Sequence, residues 1–253
     1  MAAKPSFAEI LEKFRAIVAE RNLGEEAVRV TVGTLTVEQA IGSPQRQDYP
    51  LQEGKEVMVE AAFRGSYGQA FTDRPHDFRG TLNEILAFDP KIRENRAVFI
   101  ATLNAVMAHL GKAAGTRHCR DEEPEECADE ICAYILEKYG RVRVGLIGLQ
   151  PAILENLASH FGADNVKCTD LNPKNIGNKK FGAAVWDGRT DTGKLVDWCD
   201  LVLATSSTLV NDSFDVIREE AAARGKPLLI FGVTGAGVAA LLSLERVCFR
   251  PHD

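Results

Sequence analysis

Val144-Gly-Leu-Ile-Gly148-Leu-Gln-Pro151 decides the reading of this chain. A short run over 143–147, apolar after Arg143, predicts a buried strand. Gly148 predicts a tight turn, and Pro151 suits the first turn of a helix, predicted over 151–161. The same grammar recurs to the end of the chain. Strands are predicted over 165–169, 183–186, 200–204, 227–231 and 246–249, with helices over 211–224 and 236–244. Short apolar strands alternating with helices imply an α/β fold with a parallel sheet covered on both faces.

Upstream, the pattern differs. Phe7, Ile10, Leu11, Phe14, Ile17 and Val18 fall three and four apart and predict an amphipathic helix over 7–19. Alternation over 27–32 and again over 35–41, across Gly33-Thr34, predicts a hairpin. A third strand is predicted over 56–63, and helices over 81–87 and 93–110. This half is α+β in character. Thr116 to Glu126 is polar and acidic, so a domain boundary is placed there: 1–115 is one domain and 116–253 the other, with 116–126 as linker.

The composition is that of a globular protein. Of 253 residues, 45% are hydrophobic and 26% charged, which argues against disorder and coiled coil. The net charge of −6 lacks the basic footprint of a nucleic-acid binder. No apolar run approaches the roughly 20 residues that span a bilayer. No nucleic-acid or membrane partner is therefore expected, and the default location is the cytoplasm. The six cysteines are too scattered for a disulfide framework. A homo-oligomer suits a chain of this kind, but no residue fixes the number of subunits.

In open α/β sheets, ligands bind at the carboxyl ends of the strands. Four loops lie there. Gly148 alone stands where a dinucleotide fingerprint wants three glycines, so a plain turn competes with a ligand contact. Asp170, 22 residues later, is where a carboxylate would accept hydrogen bonds from a diol. Asp170-Leu-Asn172-Pro173 is equally ordinary turn chemistry. Thr205-Ser-Ser-Thr-Leu-Val-Asn211 places four hydroxyls at a strand mouth, and Thr205, Ser206, Thr208 and Asn211 are candidate ligand contacts. Gly232-Val-Thr-Gly-Ala-Gly237 allows close approach of the backbone, with Gly232, Thr234 and Gly235 as candidates. Together these loops predict a small-molecule crevice. Separately, His118, Cys119 and Cys127 are soft donors among carboxylates and form a candidate metal site. No spacing of acid, base and nucleophile names a reaction.

The stretches 144–151, 200–211 and 229–237 resemble the putative heavy-metal chelation family. In that family a Rossmann-like module follows an enolase-N-terminal-like α+β domain, and Ala101-Thr-Leu-Asn-Ala105 resembles part of the latter. The loop after Gly232 departs from the family's Pro-Ser/Thr-Thr-Pro-like run, keeping only Thr234. The resemblance implies a crevice between the two domains, and a metal ion or a small chelator as its occupant. The leading expectation is a small-molecule-binding protein. A metal-handling protein using His118, Cys119 and Cys127 is one alternative. A nucleotide- or S-adenosylmethionine-dependent enzyme is another.

Overall fold

The structure, a computed structural model, describes residues 6–32, 41–49, 51–52 and 56–253. Helix α1 (Ser6–Glu20) leads into strands β1 (Ala27–Val32), β2 (Val57–Phe63), β3 (Ser66–Thr72) and β4 (Phe78–Thr81). These form an antiparallel sheet in the order β3-β2-β1-β4. The predicted hairpin partner of β1, 35–41, lies outside the described residues except Ile41, which is helical. Both edges of β1 are taken instead, Val30 facing Ala61 on β2 and Phe78 on β4. Ser66–Thr72, glycine-containing and without clear alternation, is a strand because Arg64 and Gly65, both at positive φ, turn the chain back along β2.

Helix α2 (Leu82–Leu86) starts in a capping box: Thr81 Oγ1 accepts from the Glu84 amide, and the Glu84 carboxylate accepts from the Thr81 amide. Helix α3 (Arg93–His109) lies across β2 and β3. Twelve of its residues, from Arg96 to Met107, are buried without interruption. A helix buried on every side needs cover on every side, here including that of Arg96, Thr102 and Asn104. Its second cover comes from the other half of the chain: Val238 and Ala239, with Leu209, Val210, Phe214 and Ile230, share one core with Phe14, Phe63 and Leu103.

Helix α4 (Glu123–Tyr139) begins with Pro124 in its first turn beside Glu123, Glu125 and Glu126, which suit the positive end of the helix dipole. Then follow β5 (Val144–Ile147), α5 (Pro151–Phe161), β6 (Val166–Asp170), β7 (Lys179–Lys180), β8 (Ala183–Asp187), α6 (Thr192–Trp198), β9 (Leu201–Thr205), α7 (Phe214–Ala223), β10 (Leu228–Phe231), α8 (Ala236–Leu242) and β11 (Glu245–Arg246). The sheet order is β11-β10-β9-β5-β6-β8-β7, and every pairing is parallel except β7 with β8. Alternate residues of the central strands face opposite ways. Leu146 and Leu203 pack on α4 and α5, while Ile147, Val202 and Ala204 pack on α6 and α7. Helix α6 and strand β7 are additions to the predicted elements.

The stretch 116–126 is only partly solvated, with Arg120, Asp121 and Glu126 exposed. Thr116 is fully buried, its carbonyl accepting from the Gln69 amide at 2.9 Å, and Arg117 pairs with His252 in an isolated bridge. No helix among the described residues is long and apolar enough to cross a membrane.

Candidate functional site

Strand order reverses between β5 and β9, which run side by side while their crossovers leave in opposite directions. The loops after them must diverge, and a crevice opens at the carboxyl ends. A cavity of about 520 Å³ fills this position. Gly148 lies at its base with φ +85°, and a Cβ there would overlap Thr205 Cγ2. Glycine is thus required by backbone conformation and by the approach of the two central loops.

The cavity draws on the whole molecule. Beneath it are the ends of β5, β6, β9 and β10; Phe71, Thr72, Asp73 and Arg93 face it from the first half. The segment 41–49 bounds another side and is fastened to α4 and α5. Arg46 donates to Glu125 at 2.5 Å and pairs with Glu155. Tyr49 donates to Glu125 at 3.0 Å, and Ser43 donates its amide to Asp121 at 2.9 Å. Burial and the Glu125 carboxylate push the Tyr49 hydroxyl well above its ordinary pKa. Phe181, at the turn between β7 and β8, sits under the Arg46 guanidinium, 5.6 Å from carbon to ring centre.

Gly148, Asp170, Thr205, Ser206, Thr208, Asn211 and Gly232 all line this cavity. Most of their polar atoms have local work. Asp170 accepts from the amides of Leu171 and Asn172 and from Asn175 Nδ2. It therefore closes an Asx-type turn as well as facing the crevice. Thr205 Oγ1 accepts from the Ser207 amide, Thr208 Oγ1 donates to the Thr205 carbonyl at 2.6 Å, and Asn211 Oδ1 accepts from Ser213. Ser206 is buried against Gly232, whose φ is +93°. Thr234 and Gly235 do not line the cavity. Thr234 Oγ1 accepts from the Phe71 amide at 3.1 Å and so joins the two halves of the chain, while Gly235 packs on Ser206 within the second half.

His118, Cys119 and Cys127 all face the cavity, yet they do not form a ligand set. Among the described residues no three His, Cys, Asp or Glu side chains are grouped to hold a metal ion. His118 Nδ1 lies 2.5 Å from the Cys119 carbonyl, and burial lowers its pKa. Burial holds Cys119 protonated, its thiol pushed far up. Cys127 is engaged elsewhere, with the thiol of Cys248 and the Phe249 amide, 3.4 Å from its sulfur. Five residues apart on a helix, Cys127 and Cys132 point to different sides, and Cys132 lies in the core.

Four cavity residues escape sequence reading. Thr169, fully buried at the end of β6, has a hydroxyl oxygen with no protein partner. Arg93 is bonded through Nη1 to Asp73 at 3.4 Å, but its Nε is also unpartnered. Glu56 is lifted to about 7, first by burial and then by the carboxylates of Asp170 and Asp73. Cys248 is the fourth. Thr169 left one signal, a hydroxyl inside an apolar strand; the others depend on neighbours distant in sequence.

Residues 132–243 match the DUF364 family, described as putative heavy-metal chelation. The match lies within the parallel-sheet half and covers less than half of the chain. A family member of unknown function from Pyrococcus horikoshii has a similar structure: TM-score 0.51, 16% identity, covering 89% of this chain and 79% of its own. That likeness is one of fold. A second member of unknown function, from Desulfitobacterium hafniense DCB-2, gives a TM-score of 0.47 at 11% identity, covering 74% of this chain and 72% of its own. No curated protein matches the chain. The family match spans β5 to α8, and hence most of the strand ends beneath the cavity, but not α1 to α3 or the segment 41–49.

Proposed function

We propose that this protein binds a small organic molecule in the crevice at the carboxyl ends of the parallel strands. The observation that carries this reading is the hydroxyl of Thr169. A buried polar atom without a partner costs about 1–3 kcal/mol, and its residue lines a cavity where a ligand could satisfy it. The volume falls within the range of small-molecule sites. The lining suits a molecule with an apolar body and polar ends. Ile147, Leu149, Ile153 and Phe231 offer apolar walls, Arg93 and Arg189 positive charge, and Glu56, Asp73 and Asp170 negative charge.

The family description comes to this chain most simply through such a molecule acting as the chelator, because His118, Cys119 and Cys127 do not group as protein ligands. One further observation favours an adenosine compound. Numbered among themselves, the six parallel strands run 3-2-1-4-5-6, the order of the Rossmann-like sheet that binds nucleotides at this edge. The first half, with its antiparallel sheet and helices, takes the place of the enolase-N-terminal-like partner.

Native mass spectrometry of freshly purified protein tests the reading, followed by titration with S-adenosylmethionine, adenosine diphosphate and NAD. A retained organic mass, or binding by one probe that falls about tenfold or more in Thr169→Val, is the expected result. A chain that retains nothing and binds none of a broad metabolite library overturns it.

A further inference from the structure

The cavity wall holds a feature that ligand binding does not use. Cys127, in the second turn of α4, meets the C-terminal segment 247–250. Its sulfur accepts from the Phe249 amide at 3.4 Å, and the neighbouring Cys248 thiol and Arg250 amide favour its charged form. An amide donor on the sulfur with a second thiol beside it is the arrangement that stabilises a thiolate. The segment bearing Cys248 is pinned along the helix. Val247 donates its amide to Ile230 at 2.8 Å, the Phe249 ring lies 5.8 Å from that of Tyr134, and Arg250 is paired with Glu126 and with Glu130 at 2.6 Å. Both cysteines line the cavity, through which a small reagent can reach them.

We propose that Cys127 and Cys248 form a redox-active dithiol, converted by hydrogen peroxide to an intramolecular disulfide. The Cys127 thiolate attacks one peroxide oxygen. The S–O bond forms, the O–O bond breaks, and hydroxide leaves to be protonated as water. Cys127 is then a sulfenic acid, two electrons having passed to the peroxide. The Cys248 sulfur attacks the Cys127 sulfur, the S–S bond forms, the S–O bond breaks, and the departing hydroxide takes up the proton of Cys248 as a second water. Two thiols and one peroxide give one disulfide and two waters.

The donors set the order of events. They lower the Cys127 thiol against burial, while Cys248 and Cys119 are both pushed up. Cys127 is the attacking sulfur and Cys248 the resolving one. Cys199, packed in the core and lifted to about 11, serves as an internal reference.

The test is residue-resolved alkylation of the intact chain at pH 7, followed by peroxide treatment and peptide mapping. Cys127 is expected to alkylate at least about tenfold faster than Cys199. Peroxide should lower the intact mass by about 2 Da and yield a peptide cross-linked between 127 and 248. In Cys248→Ser the reaction should stop at a Cys127 sulfenic acid that dimedone traps. Equal labelling of Cys127 and Cys199 overturns the proposal, as does a cross-link to Cys119 or no thiol lost to peroxide. Should Cys248→Ser fail to fold, labelling and mapping of the unmodified chain decide the matter alone.

Discussion

Glu56 shows how one residue couples the cavity to pH. Its pKa in the folded chain is about 7 against an ordinary 4.5, so between these values the native state binds a proton that the unfolded state has released. Stability from this group is full below about 4.5 and is lost as pH rises through about 7. Glu56→Gln carries no charge to bury. It should exceed the parent in stability by about 2 kcal/mol at pH 8, with the difference shrinking towards pH 4. Urea unfolding at the two pH values checks this. Thr169→Val separates structure from binding. With its orphan hydroxyl removed, the ligand-free variant should gain about 1 kcal/mol in thermal unfolding while losing affinity.

At the scale of elements, two joints hold the site. The first is the approach of the β5 and β9 loops at Gly148. Gly148→Ala places a side chain at φ +85° and against Thr205, so it should cost about 3 kcal/mol in denaturant unfolding. The second is Asn104 on α3, buried completely. Its Nδ2 is shared among the carbonyls of Gln69, Val233 and Thr234 at 2.9–3.2 Å, and its Oδ1 accepts from the Gly237 amide at 2.7 Å. One side chain ties α3, β3 and the start of α8 together. Asn104→Ala should destabilise by about 3 kcal/mol, because it orphans several buried backbone groups at once. Asn104→Asp should do no better, since a carboxylate cannot donate to the three carbonyls.

Across the whole molecule, the two sheets share a core. Phe14, Phe63 and Leu103 belong to the same buried cluster as Phe214, Ile230 and Val238. The segment near 115 is held by the chain's far end, with the Gly115 amide donating to Asp253 and Arg246 donating to the Gly115 carbonyl. A fragment ending at residue 115 would expose one side of α3 and lose these ties. It should show little cooperative structure by circular dichroism, whereas the intact chain should unfold in one transition. A folded, cooperatively melting fragment would instead mark residues 1–115 as an autonomous domain.

Chain pattern alone sets the alternating strands and helices after Gly140, because buried parallel strands must be short apolar runs whatever surrounds them. It also determined where a cavity would open, since the carboxyl ends follow from chain direction, and seven of nine candidate residues do line it. Tertiary structure decided the rest. Ser66–Thr72 pairs with β2 although its own pattern carries no alternation. Thr234 turned from candidate ligand contact to structural acceptor because β3 presents an amide to it. His118, Cys119 and Cys127 were close in sequence but, among the described residues, form no group of three that could hold a metal ion, while Cys248, 121 residues beyond Cys127, was brought to its side. Local pattern records which face of an element is apolar; desolvation, orphaned donors and paired thiols arise from neighbours that only the folded chain supplies.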